Sequence, residues 1–345
     1  MATLDHPHSA RADGAAAGRV WRTLRALPPT FFSIPFGLAG LAGAWRLAAT
    51  LDGLPMGIAD ALYLLAVAVY LTLVVAFAAG LISAPRAVLA ALEHPILGPF
   101  NALLPIVGML LALGLQPHAP AVARALFLAC FAATWLLGGW LTGAWIVAPR
   151  PVDQLHLGYF LPTVAGGLIG AQGAAAFGLA GLGWLSFGAA IVCWLVLGAI
   201  LLGRLIVRPG LPAALVPTLA IAVAPPAVAG NAYGVLTGGR VDAVAYGLAG
   251  FTVLMVLAQL RLLPLYRRLP FAPTFWSFTF SYAAVATDAL RWIGLERPAG
   301  AAALVYGVLA AISALIGGVA LRSLVALRRG AFLPAPSHAV SGCLR

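Results

Sequence analysis

Ten long apolar stretches follow one another along this chain, and the prolines inside them fall almost entirely in alternate ones. The stretches are read as spans 28–46, 58–84, 95–115, 121–147, 158–181, 183–206, 212–236, 242–263, 272–292 and 299–327. Crossing ~30 Å of hydrocarbon takes roughly 20 helical residues, and each span is of that order. Spans one, three, five and seven carry Pro35, Pro105, Pro162 and the pair Pro225/Pro226, while the even-numbered spans carry none in their interiors. A proline leaves a backbone carbonyl without its helical partner, and lipid offers no substitute, so it is best tolerated where protein or water reaches it. The alternation therefore predicts five hairpins, each pairing a kinked inner helix with a plain outer one. Five inner helices facing one axis would line a pore.

The composition excludes a soluble domain, because 63% of the residues are hydrophobic and only 8% are charged. The net charge of +11 comes from 20 basic residues, all arginine, against 9 acidic ones. Nearly all of these arginines lie in loops or at span ends, with no basic-aromatic stripe, which argues against nucleic-acid binding. Membrane lipids with anionic headgroups and anionic solutes are the partners this pattern favours. Cys130, Cys193 and Cys343 form no CxxC and no His/Cys cluster, so no disulfide framework, metal site or cofactor is expected.

Arginine placement also orients the chain. The N-terminal tail, the loops after spans two, four, six and eight, and the C-terminal tail, together with the span ends beside them (Arg204, Arg261 and Arg322), hold fifteen of the twenty; the opposite side holds Arg46, Arg124, Arg240, Arg291 and Arg297. By the positive-inside rule both termini are cytoplasmic, in agreement with an even number of spans. The first twenty residues lack the apolar core of a signal peptide. The division expected is a cytoplasmic tail 1–27, a transmembrane domain 28–327 and a cytoplasmic tail 328–345. Spans five and six are separated only by Gly178, Gly181 and Gly183, which are read as a tight turn, with one very long helix as the alternative.

The words around these prolines carry a resemblance. FFSIPFGLAGLAGAW (31–45), HPILGPFNALLPIVGML (94–110), YFLPTVAGGLIGA (159–171), IAVAPPAVAGNAYG (221–234) and FWSFTF (275–280) resemble the TehA tellurite-resistance and dicarboxylate transporter family, which includes the slow anion channels of plant guard cells. The resemblance implies a quasi-fivefold bundle of five hairpins with the odd-numbered helices lining a pore, assembled as a homotrimer. It implies a phenylalanine gate in span nine, at Phe280, with Phe278 two residues before it. Ser281 stands where glycine is usual in the bacterial members, and span nine lacks an interior proline. From the residues alone, Phe280 is equally a packing aromatic in a run with Phe275, Trp276 and Phe278.

The inner spans hold few ionisable groups. Asp288 and Arg291, three apart in span nine, share a helix face, which reads as a local ion pair, with a proton relay as the alternative. Glu93 and His94 read as capping or loop residues, and His118 and His156 as loop residues without metal-ligand spacing. Gly37, Gly40 and Gly43 permit close helix approach or open a lumen. No nucleophile, base and oxyanion site assembles, so an enzyme is not expected. The function expected is a gated channel for small monovalent anions such as chloride or nitrate, with selectivity set by ease of dehydration. The alternative is a secondary transporter for a C4-dicarboxylate, sulfite or a tellurite-type oxyanion, with or without proton coupling.

Overall fold

The computed structural model describes residues 27–148 and 150–333, so the expected tail 1–27 lies almost wholly outside the described residues, and 334–345 of the expected tail 328–345 does too. Helix covers each predicted apolar stretch. The α-helices are α1 Ser33–Asp52, α2 Met56–Ser83, α3 Pro85–Glu93, α4 Leu103–Leu115, α5 Pro120–Val147, α6 Gly166–Ala176, α7 Ala180–Val207, α8 Ala224–Leu236, α9 Ala243–Arg267, α10 Ser277–Glu296 and α11 Ala301–Arg328. Among the described residues, eight helical segments are long and apolar enough to cross a membrane, and the chain is a multi-pass membrane protein. The other two predicted spans are helical but depart from that standard. One is broken into a 3-10 turn, a π turn and the short α6, and the other, α10, carries Asp288, Arg291 and Glu296.

The prolines have a different local role from the one expected. Each odd-numbered span begins in a tighter or wider helix and then converts to α. A 3-10 segment precedes α1 (Pro29–Phe32), α4 (Gly98–Ala102), α8 (Val216–Val223) and α10 (Pro273–Trp276); α6 follows the 3-10 turn Leu157–Phe160 and the π turn Leu161–Ala165. Pro35, Pro105, Pro225 and Pro226 fall in the first turn of the α-helix that follows, and Pro162 falls in the π turn. They mark a change of helix type near the start of the span, where the missing N–H is least needed. The carbonyl that Pro162 frees, that of Gly158, accepts from the Leu161 N–H instead. Span nine shares the device through Pro273 alone. The alternation is also incomplete: α9 runs on to Arg267 and encloses Pro264, beyond the limit at 263.

Two linkers are better ordered than a loop. The connection after α2 holds the nine-residue helix α3. The turn between α6 and α7 is tight, as the glycines predict: Gly178 has φ 75°, and the Leu179 N–H reaches the Ala174 carbonyl while the Gly178 N–H reaches that of Ala175. This pairing closes a helix end with one left-handed residue, a conformation open to glycine. Beyond α11, Phe332 is buried edge-on to Phe31, with ring centroids 5.5 Å apart.

Burial separates two classes of segment. In the most apolar window of Gly98–Leu115, 78% of residues are buried, and 72% in Val216–Leu236, against 11% in α9 and 17% in α7. The buried segments contact one another in sequence: α1 packs on α4, α4 on α6, α6 on α8, α8 on α10 and α10 on α1. Each is also packed on the long helix that follows it in the chain. The exposed faces of those helices are apolar, with Leu64, Trp140, Leu195, Leu257 and Leu321 among the exposed side chains.

Candidate functional site

Side chains from α1, α4, α6, α8 and α10 enclose a cavity of about 310 Å³, with Tyr63 of α2 completing the wall. The lining comes from the second halves of the buried segments, so the cavity occupies the side where those segments end. Its apolar limit is Phe280, which is buried and lies face to face with Phe36, ring centroids 3.6 Å apart and planes 13° from parallel. Such a stack contributes about 0.5–1.5 kcal/mol beyond burial. The close approach of α1 to α10 that forms it depends on glycine. A Cβ on Gly37 would collide with the Thr279 side chain, and one on Gly40 would sit 2.9 Å from the Ala283 Cβ and 3.1 Å from the Phe280 ring.

Of the residues singled out from the sequence, Phe280, Gly40, Gly43, Arg46 and Arg291 line this cavity. Phe278 does not: two positions along a helix turn it to the opposite side, where it packs edge-on to Tyr266 of α9 and stacks with Phe275 and Tyr282. Pro35, Gly37, Pro162 and Pro225 are buried between segments, and Pro105 lines a separate apolar groove of about 270 Å³ with Phe32, Phe77 and Leu104. Phe36 escaped the sequence reading, although it stands directly after Pro35 in FFSIPFG. Only the register between two helices 244 positions apart brings it to Phe280.

The charged groups were also placed differently by the fold. Arg46 and Arg291 both line the cavity. Arg46 is held on three sides: one Nη lies 2.8 Å from Asp60 Oδ1, the other donates to the Gly114 and Leu113 carbonyls at 2.9 and 3.3 Å, and the guanidinium sits 4.5 Å over the Tyr63 ring. His118 reaches the same Asp60 oxygen at 3.3 Å. Arg291 has no such clamp. Its Nε donates to Asn231 Oδ1 at 3.5 Å, and its stem lies against α8, where a Cβ on Gly234 would sit 2.8 Å from its Cδ.

The expected Asp288–Arg291 ion pair does not form. Among the described residues the ion pairs are Arg46–Asp60, His118–Asp60 and Arg208–Asp153. Asp288 is buried, faces Gly230, and its Oδ1 has no hydrogen-bond partner. The two residues share a helix face, but each lies against a different glycine of α8, Asp288 at Gly230 and Arg291 at Gly234.

On the side where the buried segments begin, two histidines act within the protein. His156 is 1% exposed; its Nδ1 accepts from the Gly158 N–H, its Nε2 donates to the Ile96 carbonyl, and its ring stacks on Phe100. Burial pushes its pKa down from 6.5 to about 4, opposed by the bond to Ile96. His94 Nδ1 accepts from the Ile96 and Leu97 N–H groups, and burial followed by the Arg150 charge lowers its pKa.

A cavity reached from one side, closed by an aromatic stack and edged by two guanidiniums, suits passage of a small anion better than bond-making chemistry. The comparisons agree. The model of the SLAC1 family, described as voltage-dependent anion channel, matches residues 26–324. A tellurite resistance protein TehA homolog of Haemophilus influenzae is 28% identical over 271 residues, spanning 76% of this chain and 80% of that protein.

Proposed function

This chain belongs to the SLAC1 family of voltage-dependent anion channels, and we propose that it is a gated channel for small monovalent anions such as chloride or nitrate. In this reading ten helical spans form five hairpins in a quasi-fivefold bundle, and the odd-numbered segments line the pathway. The cyclic packing of α1, α4, α6, α8 and α10, with the lipid-compatible helices outside it, supports that arrangement. The arginine distribution supports an inner-membrane protein with both termini cytoplasmic. Homotrimeric assembly and membrane lipids as partners belong to the same reading.

The observation that carries the proposal is the Phe36–Phe280 stack at the end of the cavity. Two apolar rings block a narrow path sterically and by dewetting. Opening needs a rotamer change of Phe280 and loss of the stack. Ser281 stands beside the ring, and its hydroxyl donates to the Ser277 carbonyl at 2.8 Å. Phe280→Ala should raise anion conductance in planar bilayers by about tenfold or more, since the stack alone is worth up to about tenfold. A folded Phe280→Ala protein with wild-type currents would remove the gate assignment. Reversal potentials in asymmetric salt should follow the anion.

The second reading is a proton-coupled transporter for a C4-dicarboxylate, sulfite or tellurite-type oxyanion. One observation favours it: the buried Asp288 carboxyl, unpartnered beside the pathway. Ionisable groups within membrane helices commonly serve proton relays. Malate flux driven by a proton gradient, and lost in Asp288→Asn, would select this reading over the channel.

A further inference from the structure

Two arginines share one cavity, and among the described residues only one of them forms an ion pair. Each lies at a comparable height above the aromatic stack: Arg291 is eleven residues beyond Phe280 on α10 and Arg46 ten beyond Phe36 on α1, or roughly 15–17 Å at ~1.5 Å per residue. Arg46 is paired with Asp60 and donates to two carbonyls. Arg291 stands in the same apolar setting with no carboxylate within 4.0 Å among the described residues. A guanidinium stays charged at any ordinary pH, and a charge inside a membrane domain is costly unless another charge meets it. Asp288, one turn back on α10, lies beyond 4.0 Å, so no carboxylate among the described residues contacts the guanidinium.

The geometry also selects what fills it. Asn231 is held by its own Nδ2, which donates to the Ala284 carbonyl at 3.0 Å, so its Oδ1 is fixed to receive Arg291 Nε. Gly234 lets the Arg291 stem lie against α8. Nε is engaged and the stem is braced, while the two Nη groups make no hydrogen bond among the described residues, Nη1 lying beside Gly234. Two parallel N–H groups match two oxygens of a planar anion, whereas a spherical halide uses the fork less well.

We propose that Arg291, positioned by Asn231 and Gly234, is an anion-binding site in the outer part of the cavity that takes a small planar oxyanion, of the nitrate class, in preference to a halide. The proposal deepens the anion-channel reading and rests on it for its physiological meaning. Its test does not require conduction.

The full-length protein, purified in detergent, is melted at constant ionic strength in potassium gluconate, chloride or nitrate. Nitrate at about ten times its dissociation constant should raise the melting temperature by about 2–4 °C, and chloride by less. Arg291→Gln should abolish the nitrate shift. Arg291→Lys, which keeps the charge and loses the fork, should bind both anions and lose the preference for nitrate. Gly234→Ala, which displaces the stem and keeps the guanidinium, should raise the half-saturating nitrate concentration about threefold. Retention of the full nitrate shift in Arg291→Gln overturns the site. So does loss of the shift in Asp288→Asn to the same degree as in Arg291→Gln, because Arg291 would then serve only as the distant counter-charge of Asp288. Nitrate binding with no conductance in any variant would count against the channel alone, and anion conductance without Arg291-dependent binding would count against the site alone.

Discussion

The two walls of the cavity hold the same side chain in opposite circumstances. On the α1–α2–α4 wall, Arg46 joins three helices through a carboxylate, two carbonyls and an aromatic face. On the α8–α10 wall, Arg291 has a single long bond to a neutral amide. The difference shows how one residue type divides into a structural cation and a vacant one. A guanidinium paired with a carboxylate and bonded to two carbonyls stabilises the fold and has less left for a solute. One that is braced and unpaired holds a field in the cavity at some cost to stability.

The largest test of that contrast is a pair of substitutions. Arg46→Gln should lower thermal stability by about 2–3 kcal/mol, because two carbonyls and Asp60 lose a charged donor, while Arg291→Gln should change it by less than about 0.5 kcal/mol. Equal losses in a melting experiment would erase the distinction between the walls. Acid gives the next effect, since both arginines keep their charge and only histidine and carboxylates respond. His156 has a folded pKa of about 4 against 6.5, so the unfolded chain binds more protons between those values. Its stabilising contribution is full above pH 6.5 and is lost as pH falls toward 4. Stability at pH 5.5 should be lower than at pH 7.5 by about 1 kcal/mol, and His156→Gln should flatten the profile. Asp60→Asn comes third: it keeps an acceptor for Arg46 but removes the charge, and should cost about 0.5–1 kcal/mol by thermal melting. His118→Ala should be smallest, below about 0.5 kcal/mol, because its contact with Asp60 is exposed.

Much of the helical layout was legible without a structure. Spans 121–147 and 183–206 lie within a few residues of Pro120–Val147 and Ala180–Val207, because the run length of apolar residues is a local quantity. The turn at Gly178 was legible for the same reason: its left-handed backbone is open to glycine with little strain. The prolines correctly marked the buried segments, yet their role as junctions between helix types needs the hydrogen bonds themselves. The candidate site was legible in part, through Phe280, the glycines Gly40 and Gly43, and the two arginines. Phe280 stood out through its motif, while Phe278, quoted beside it, faces α9. Arg46 and Arg291 were visible as rare charges at span ends, and nothing near them in sequence tells which one has partners.

The amino-acid sequence by itself determined that this is a multi-pass helical membrane protein, where its helices run, and which of them carry the helix-altering prolines. Hydropathy, turn residues and proline act over a few neighbouring positions, so they can be read from one strand of text. The tertiary structure alone decided which face of each helix meets the cavity and which cation is spent. Those outcomes depend on the rotation of helices against one another and on partners far apart in the chain, as in Trp45 donating to Ser313 and Asn231 donating to Ala284. A half-turn of one helix leaves its hydropathy unchanged and moves Arg291 out of the cavity, so local patterning could not determine it.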